Sequence, residues 1–116
     1  MTRRVVLLAA AVFCALVAAL PAAAAPTRRC GTIAGQPVSG SRALILGDIR
    51  ATGATCATAR SIARSWRASS RCGGSRSPIS SCTVRGWTCR QVGASGEVSD
   101  WRCRRAAATV RFSPGA

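Results

Sequence analysis

The thiol groups of seven cysteines are the most reactive side chains in this 116-residue sequence. Structural zinc sites combine cysteine pairs about two to four residues apart with histidine, or use two such pairs. Here the last six cysteines are separated by 25, 15, 9, 6 and 13 residues, and the chain has no histidine. We therefore expect no metal or other cofactor, and a disulfide framework if the chain enters an oxidising compartment. The six are Cys30, Cys56, Cys72, Cys82, Cys89 and Cys103.

Groups that transfer protons are scarce as well. The chain has neither histidine nor tyrosine, and its only side-chain carboxylates are Asp48, Glu97 and Asp100. No serine has a residue that could serve as its base, and nucleophilic or acid–base catalysis needs such pairs. We therefore expect a binding protein with no catalytic residues, and not an enzyme.

Residues 1–24 have the pattern of a secretory signal peptide. Two arginines precede an unbroken apolar run from Val5 to Leu20, which is followed by a proline and four alanines. Small residues before the cut are what signal peptidase requires. The run has 16 residues, fewer than the roughly 20 that span a membrane. We expect cleavage between Ala24 and Ala25, which removes Cys14 and leaves six cysteines.

The remaining residues, 25–116, are expected to form a single small secreted domain with few large apolar side chains. A thin core leaves such a domain marginally stable, and three disulfides at typically about 2–4 kcal/mol each would compensate. The domain has 15 arginines, no lysine and three acidic residues, a net charge of +12. GC-rich coding explains arginine in place of lysine, but it does not explain the scarcity of aspartate and glutamate. A surface with this charge attracts polyanions whatever its origin.

Apolar periodicity predicts an α+β fold in which one helix packs on a small antiparallel sheet, with element order β-β-α-β-β-β. The first two strands are expected at residues 30–33 and 42–51, with Gly47 as a bulge, after an unstructured lead. Thr55 is a suitable N-cap for a helix over residues 56–69. One face of this helix gathers Cys56, Ala59, Ile62, Ala63 and Trp66.

A Gly/Ser/Pro-rich loop over residues 72–82 is expected after the helix, followed by a three-stranded meander. A hairpin turn is expected at residues 93–96 of this meander. Strict alternation turns one set of the meander residues toward the helix, where Trp66 is expected to belong to the same core. This set is Trp87, Cys89, Trp101, Cys103, Val110 and Phe112.

The same alternation gives the sheet an open face that carries Arg90, Arg102, Arg104 and Arg111. Side chains on one face of neighbouring strands lie roughly 5 Å apart, so these four charges repel one another. A bound polyanion would relieve that repulsion, which makes the four arginines the candidate anion-binding residues. A second basic stripe on the helix is interpreted as a solvated polar flank. It consists of Arg60, Arg64, Arg67 and Arg71.

The chain contains the short motifs Cys30-Gly31, Ile49 to Arg60, Trp66, Gly86 to Cys89, Trp101 to Cys103 and Val110 to Phe112. Together these motifs resemble a small disulfide-bonded domain found in uncharacterised exported proteins of actinobacteria. The resemblance implies a fold and an extracellular location, but no activity. The domain has four cysteines, so Cys72 and Cys82 depart from its pattern, which supports a bond between them.

The cysteine positions also predict disulfide pairs. Cys72 and Cys82 bracket the loop, and a bond between them would restrain it. Cys56 begins the inner face of the helix, and Cys89 and Cys103 lie on the side of the sheet that faces it. One of those two is expected to bond Cys56, and Cys30 is expected to bond the other.

The sequence favours a non-catalytic secreted basic module that binds anionic polymers or acidic surfaces. Expected partners are teichoic-type polymers of the cell envelope, acidic polysaccharides, acidic protein surfaces and, without sequence preference, extracellular DNA. The protein is expected to be extracellular or associated with the cell wall, with no stable membrane insertion after signal removal.

Two other functions fit the composition. One is a cationic membrane-active or toxin-like effector, although the narrow apolar arc of the helix is better used as core. The other is a protease-inhibitor-like interaction protein that presents the loop with Arg76 and Ile79.

The exported protein is expected to begin at or near Ala25 and to lack Cys14, because the alanines before the cut fit signal peptidase. N-terminal sequencing of protein from the culture medium measures this directly. Retention of Met1 on the exported protein would contradict the signal-peptide prediction.

Overall fold

The computed structural model describes residues 25–35, 45–95 and 98–115, and the signal-peptide prediction lies outside these ranges. They form six strands and one helix. The elements are β1 (Thr27–Ile33), β2 (Ile45–Thr52), α1 (Cys56–Ala68), β3 (Ser81–Val84), β4 (Trp87–Ser95), β5 (Val98–Arg105) and β6 (Ala108–Gly115).

All six strands form one antiparallel sheet in the order β1-β2-β6-β5-β4-β3. The last strand, β6, lies in the middle and joins the β1–β2 pair to the meander β3–β4–β5. The helix α1 lies against β1, β2 and β6 and touches β3, so it covers only part of one sheet face. The predicted class, a helix on a small antiparallel sheet with disulfides, is confirmed.

The helix forms as its sequence predicts. Thr55 has extended backbone angles, and its hydroxyl accepts a hydrogen bond from the Thr58 N–H at 3.2 Å. This bond satisfies one of the free N–H groups of the first turn. The residues that pack on the sheet recur at helical spacing and are buried: Ala59, Ile62, Ala63 and Trp66.

The core lies between α1 and the face of the sheet that it partly covers. Trp66 is its centre, with its ring centroid 5.0 Å from those of both Trp101 and Phe112. These tilted and edge-on contacts are the favourable geometries for aromatic rings. The six meander residues predicted to face the helix are all buried.

The predicted order β-β-α-β-β-β is wrong by one strand, because a short additional strand, β3, lies between α1 and the three strands predicted after it. This strand has only four residues, of which Cys82 and Val84 point inward. Its hairpin with β4 turns at Arg85 and Gly86, which have φ values of 49° and 79°. The turn lacks the Asn-Gly or Asp-Gly pair that usually marks such hairpins.

Two further boundaries differ from prediction. Residues 27–29, expected to be an unstructured lead, belong to β1, where the hydroxyls of Thr27 and Thr52 lie 2.9 Å apart. Polar residues are suited to this exposed edge strand, which is why no apolar signal marks them. The strand β4 continues to Ser95, so the hairpin turn does not begin at Gly93 as predicted.

Three disulfides staple this fold. Cys72–Cys82 is confirmed, but the other two pairs are Cys30–Cys56 and Cys89–Cys103, so the predicted pairing is wrong there. Cys89 and Cys103 are directly opposite each other on β4 and β5, with Cα atoms 3.9 Å apart. Each therefore has a partner on the sheet itself, and the start of α1 lies beside Cys30 in β1.

The disulfide map can be read from one tryptic digest without reduction, because arginines separate all six cysteines into different peptides. We expect three linked peptide pairs: Cys30 with Cys56, Cys72 with Cys82, and Cys89 with Cys103. Mass spectrometry distinguishes this map from every other pairing of the six cysteines. A peptide of Cys56 linked to that of Cys89 or Cys103 would contradict the structure.

Gly73 packs directly on the core aromatic cluster. A Cβ atom at Gly73 would lie 2.6 Å from Cζ3 of Trp66 and 3.0 Å from Cα of Arg67. We therefore expect Gly73→Ala to destabilise the oxidised protein by about 1–3 kcal/mol through overpacking. Guanidinium unfolding measures the difference. Gly115→Ala is the matched control, since nothing lies within 4 Å of its Cβ position; equal unfolding midpoints for the two variants would contradict the packing argument.

Candidate anion-binding face

Five arginines lie in one line across the open face of the sheet. Arg29 on β1 pairs with Arg50 on β2, Arg50 pairs with Arg111 on β6, and Arg111 pairs with Arg102 on β5. Arg102 in turn pairs with Arg90 on β4. Directly paired residues share a face, so the five side chains project from the same side. We call this line the arginine row.

Local alternation places each of these side chains outward. Arg102 lies between Trp101 and Cys103, both buried, and Arg111 lies between two buried apolar residues in the same way. Arg50 follows the buried Ile49. Successive residues of a strand point to opposite faces, so a buried residue on each side forces the arginine into solvent.

The row is long and closely spaced. Neighbouring strands lie about 4.8 Å apart, so five strands place the first and last arginine roughly 19 Å from each other. Arg29, Arg90 and Arg111 are exposed, and Arg50 and Arg102 are half-buried among their neighbours. Like charges directly opposite each other on a sheet are destabilising, and the row contains four such pairs in succession.

A second line runs parallel to the arginine row, two residues along each strand, and spans all six strands. The register pairs these residues in succession from one sheet edge to the other. We call this line the threonine row, since five of its members are threonine and the remaining one is Arg104. Its members in spatial order are Thr27, Thr52, Thr109, Arg104, Thr88 and Thr83.

The other side of the arginine row is acidic. Asp48 Oδ1 accepts a hydrogen bond from Arg50 Nε at 3.1 Å, with the two side chains 60% and 42% exposed, so this ion pair is weak. Asp100 accepts a hydrogen bond from the hydroxyl of Ser113. Both aspartates line one shallow depression together with Arg50, Arg111 and Ser113.

All four arginines predicted for the open face are on it. Arg90, Arg102 and Arg111 lie side by side in the arginine row, and Arg104 lies in the threonine row. Sequence reasoning missed Arg29 and Arg50. Alternation with the apolar Ile49 could have predicted that Arg50 points outward. Its position next to Arg111 depends on the pairing of β2 with β6.

The helix arginines do not act as a uniform stripe. Arg60 Nη1 donates to the carbonyl oxygen of Cys30 at 3.0 Å, and Arg67 Nη1 donates to that of Ala34 at 2.8 Å. These bonds hold the edge strand β1 and the residues after it against α1. Arg64 and Arg71 are exposed.

The aromatic side chains of the described residues are all in the core. Trp66, Trp87, Trp101 and Phe112 are buried, as predicted for the tryptophans, so none offers a ring for stacking on the open face. In the loop over residues 72–82, Arg76 is exposed, but Ile79 is half-buried and packs against the core.

All six cysteines of the described ranges are bonded to one another and are therefore unable to bind metal. In the same ranges, no three histidine, cysteine, aspartate or glutamate side chains converge on a common point. No helix within residues 25–35, 45–95 and 98–115 has the length and apolar character to cross a membrane.

Comparison of the chain with models of protein families, with curated proteins and with solved structures found no match. The function is therefore inferred from the chemistry and geometry of the open face.

Proposed function

We propose that this protein is a non-catalytic extracellular module that binds anionic polymers through the open face of its sheet. The arginine row is the observation that carries the proposal. It aligns five guanidinium groups across five neighbouring strands. The planar fork of each can bind two oxygens of a phosphate or carboxylate at once.

The charge balance of the face supports the same function. Six arginines project from it, and of the described carboxylates only Asp48 and Asp100 lie beside them. Arg102 has an arginine opposite it on both neighbouring strands. A polyanion that lies along the row replaces this repulsion with attraction, and it releases its own counterions into solution.

The proposed location is outside the cell, with anionic polymers of the cell envelope as the main partners. Three disulfides in a small fold are typical of proteins from oxidising compartments, and the resemblance to exported actinobacterial domains points the same way. Acidic polysaccharides, acidic protein surfaces and extracellular DNA offer the same charges, and DNA would bind without sequence preference.

Replacing Arg90, Arg102 and Arg111 with glutamine is expected to weaken binding to long-chain polyphosphate by roughly tenfold or more, since three charge-assisted contacts are lost. The slope of log affinity against log salt should fall in magnitude by about 2–3, at about 0.7–0.9 per lost contact. Titration calorimetry over a series of salt concentrations measures both quantities. Heparin serves as a second, sulfated polymer.

The matched control replaces Arg64, Arg71 and Arg76, three exposed arginines away from the open face, with glutamine. It removes the same charge without touching Arg60 or Arg67, which brace β1. Equal losses for both triple variants would mean that net charge alone drives binding. The open-face variant should unfold at the same or a higher temperature than the native protein, because it removes like-charge pairs.

A further inference from the structure

We propose that the polymer is a linear chain of polyol units joined by phosphodiesters, and that it lies across the strands with its phosphates on the arginine row and its hydroxyls on the threonine row. This inference rests on the proposed function and specifies its ligand. The observation behind it is that the two rows are parallel and adjacent and differ in chemistry.

The surroundings of the arginine row determine the direction of the chain. Asp48 and Asp100 line the face on one side of the row and repel an anion there. The threonine row lies on the other side, about 7 Å away, which is two residues along a strand. A polyanion is therefore confined to a strip that runs perpendicular to the strands.

Charge spacing favours a polymer with a charge on every short repeat. The row offers one guanidinium about every 4.8 Å. Three backbone bonds of an extended chain span about 3.3–3.6 Å, so a six-bond glycerol phosphate repeat spans up to roughly 7 Å and less when it coils. Its successive phosphates stay within reach of successive arginines. A polysaccharide with one carboxylate per two sugar rings has a longer interval between charges.

The threonine row favours a polymer that carries hydroxyls. A threonine hydroxyl both donates and accepts hydrogen bonds, as does a polyol hydroxyl. Single-stranded nucleic acids are usually bound by stacking their bases on aromatic rings, and the aromatic side chains of the described residues are buried. A phosphodiester chain with hydroxyls and without bases is therefore the best fit to both rows.

Two synthetic ligands isolate the contribution of the hydroxyl. Oligomers of glycerol phosphate and of 1,3-propanediol phosphate have the same backbone and charge, and only the first carries a free hydroxyl on each unit. We expect the glycerol phosphate oligomer of eight phosphates to bind about three- to tenfold more tightly, the effect of one or two net hydrogen bonds. Calorimetry at one fixed salt concentration gives both affinities.

Ligand length provides the second readout. In a series of two to ten glycerol phosphate units, affinity should rise steeply until the phosphates span the row, at about five units, since the row extends roughly 19 Å. Beyond that length, the affinity should rise only in proportion to the number of equivalent positions that the protein can occupy on the ligand. A steady steep rise up to ten units would overturn the proposed alignment.

The variant that tests the threonine row is Thr52→Val with Thr109→Val, a pair that is directly opposed on β2 and β6. Valine keeps the shape and the preference for strands. We expect the variant to lose the preference for glycerol phosphate over propanediol phosphate and to bind the propanediol oligomer as the native protein does. Thr58→Val, on the exposed side of α1, is the control and should keep the preference.

The outcomes separate this inference from the proposed function. Equal binding of the two oligomers, with a large loss in the open-face arginine variant, would overturn the inference and leave the proposed function standing. Tighter binding of oligothymidylate with the same number of phosphates would make nucleic acid the ligand. Absence of binding to every polyanion at low salt would contradict both this inference and the proposed function.

Discussion

Repulsion between paired arginines on the open face is the unfavourable interaction that the rest of this structure has to offset. Arg90 and Arg102 are directly opposite each other on the open face, and the residues next to them, Cys89 and Cys103, are joined by a disulfide on the opposite face. A covalent bond therefore fixes the strand pair at the position where the charges push it apart. A loop closed in this way also loses conformational freedom in the unfolded chain, which raises the relative stability of the folded state.

The other two disulfides protect the sheet edges. Cys30 ties the edge strand β1 to the start of α1, and Cys82 ties the edge strand β3 to the segment after α1. Edge strands have unpaired backbone groups on one side and separate easily. Arg60 adds a hydrogen bond to the carbonyl of Cys30. The helix and the segment that follows it thus anchor both edges, although the helix covers only part of the sheet.

Alternation within a strand was readable from the sequence, but pairing between strands was not. The buried Trp101 and Cys103 predict an outward Arg102, and this reasoning places four arginines on the open face. Whether Arg29 and Arg90 belong to one row depends on β6 returning to the middle of the sheet, where it pairs with both β2 and β5. The same non-local register sets the threonine row. The Cys89–Cys103 disulfide depends instead on the register of the consecutive strands β4 and β5, and the prediction placed the turn too early because β4 continues to Ser95.

Coding bias can account for the number of arginines, but it does not determine which of them become neighbours across strands. On the open face one row holds five arginines, and the row beside it holds five threonines and Arg104. The separation is a property of the folded sheet. Among the described residues, only Arg50 of the row has a carboxylate partner, Asp48, so an anion that binds there relieves the repulsion along the rest of the row. The row is therefore least stable when empty, and this difference favours the bound state.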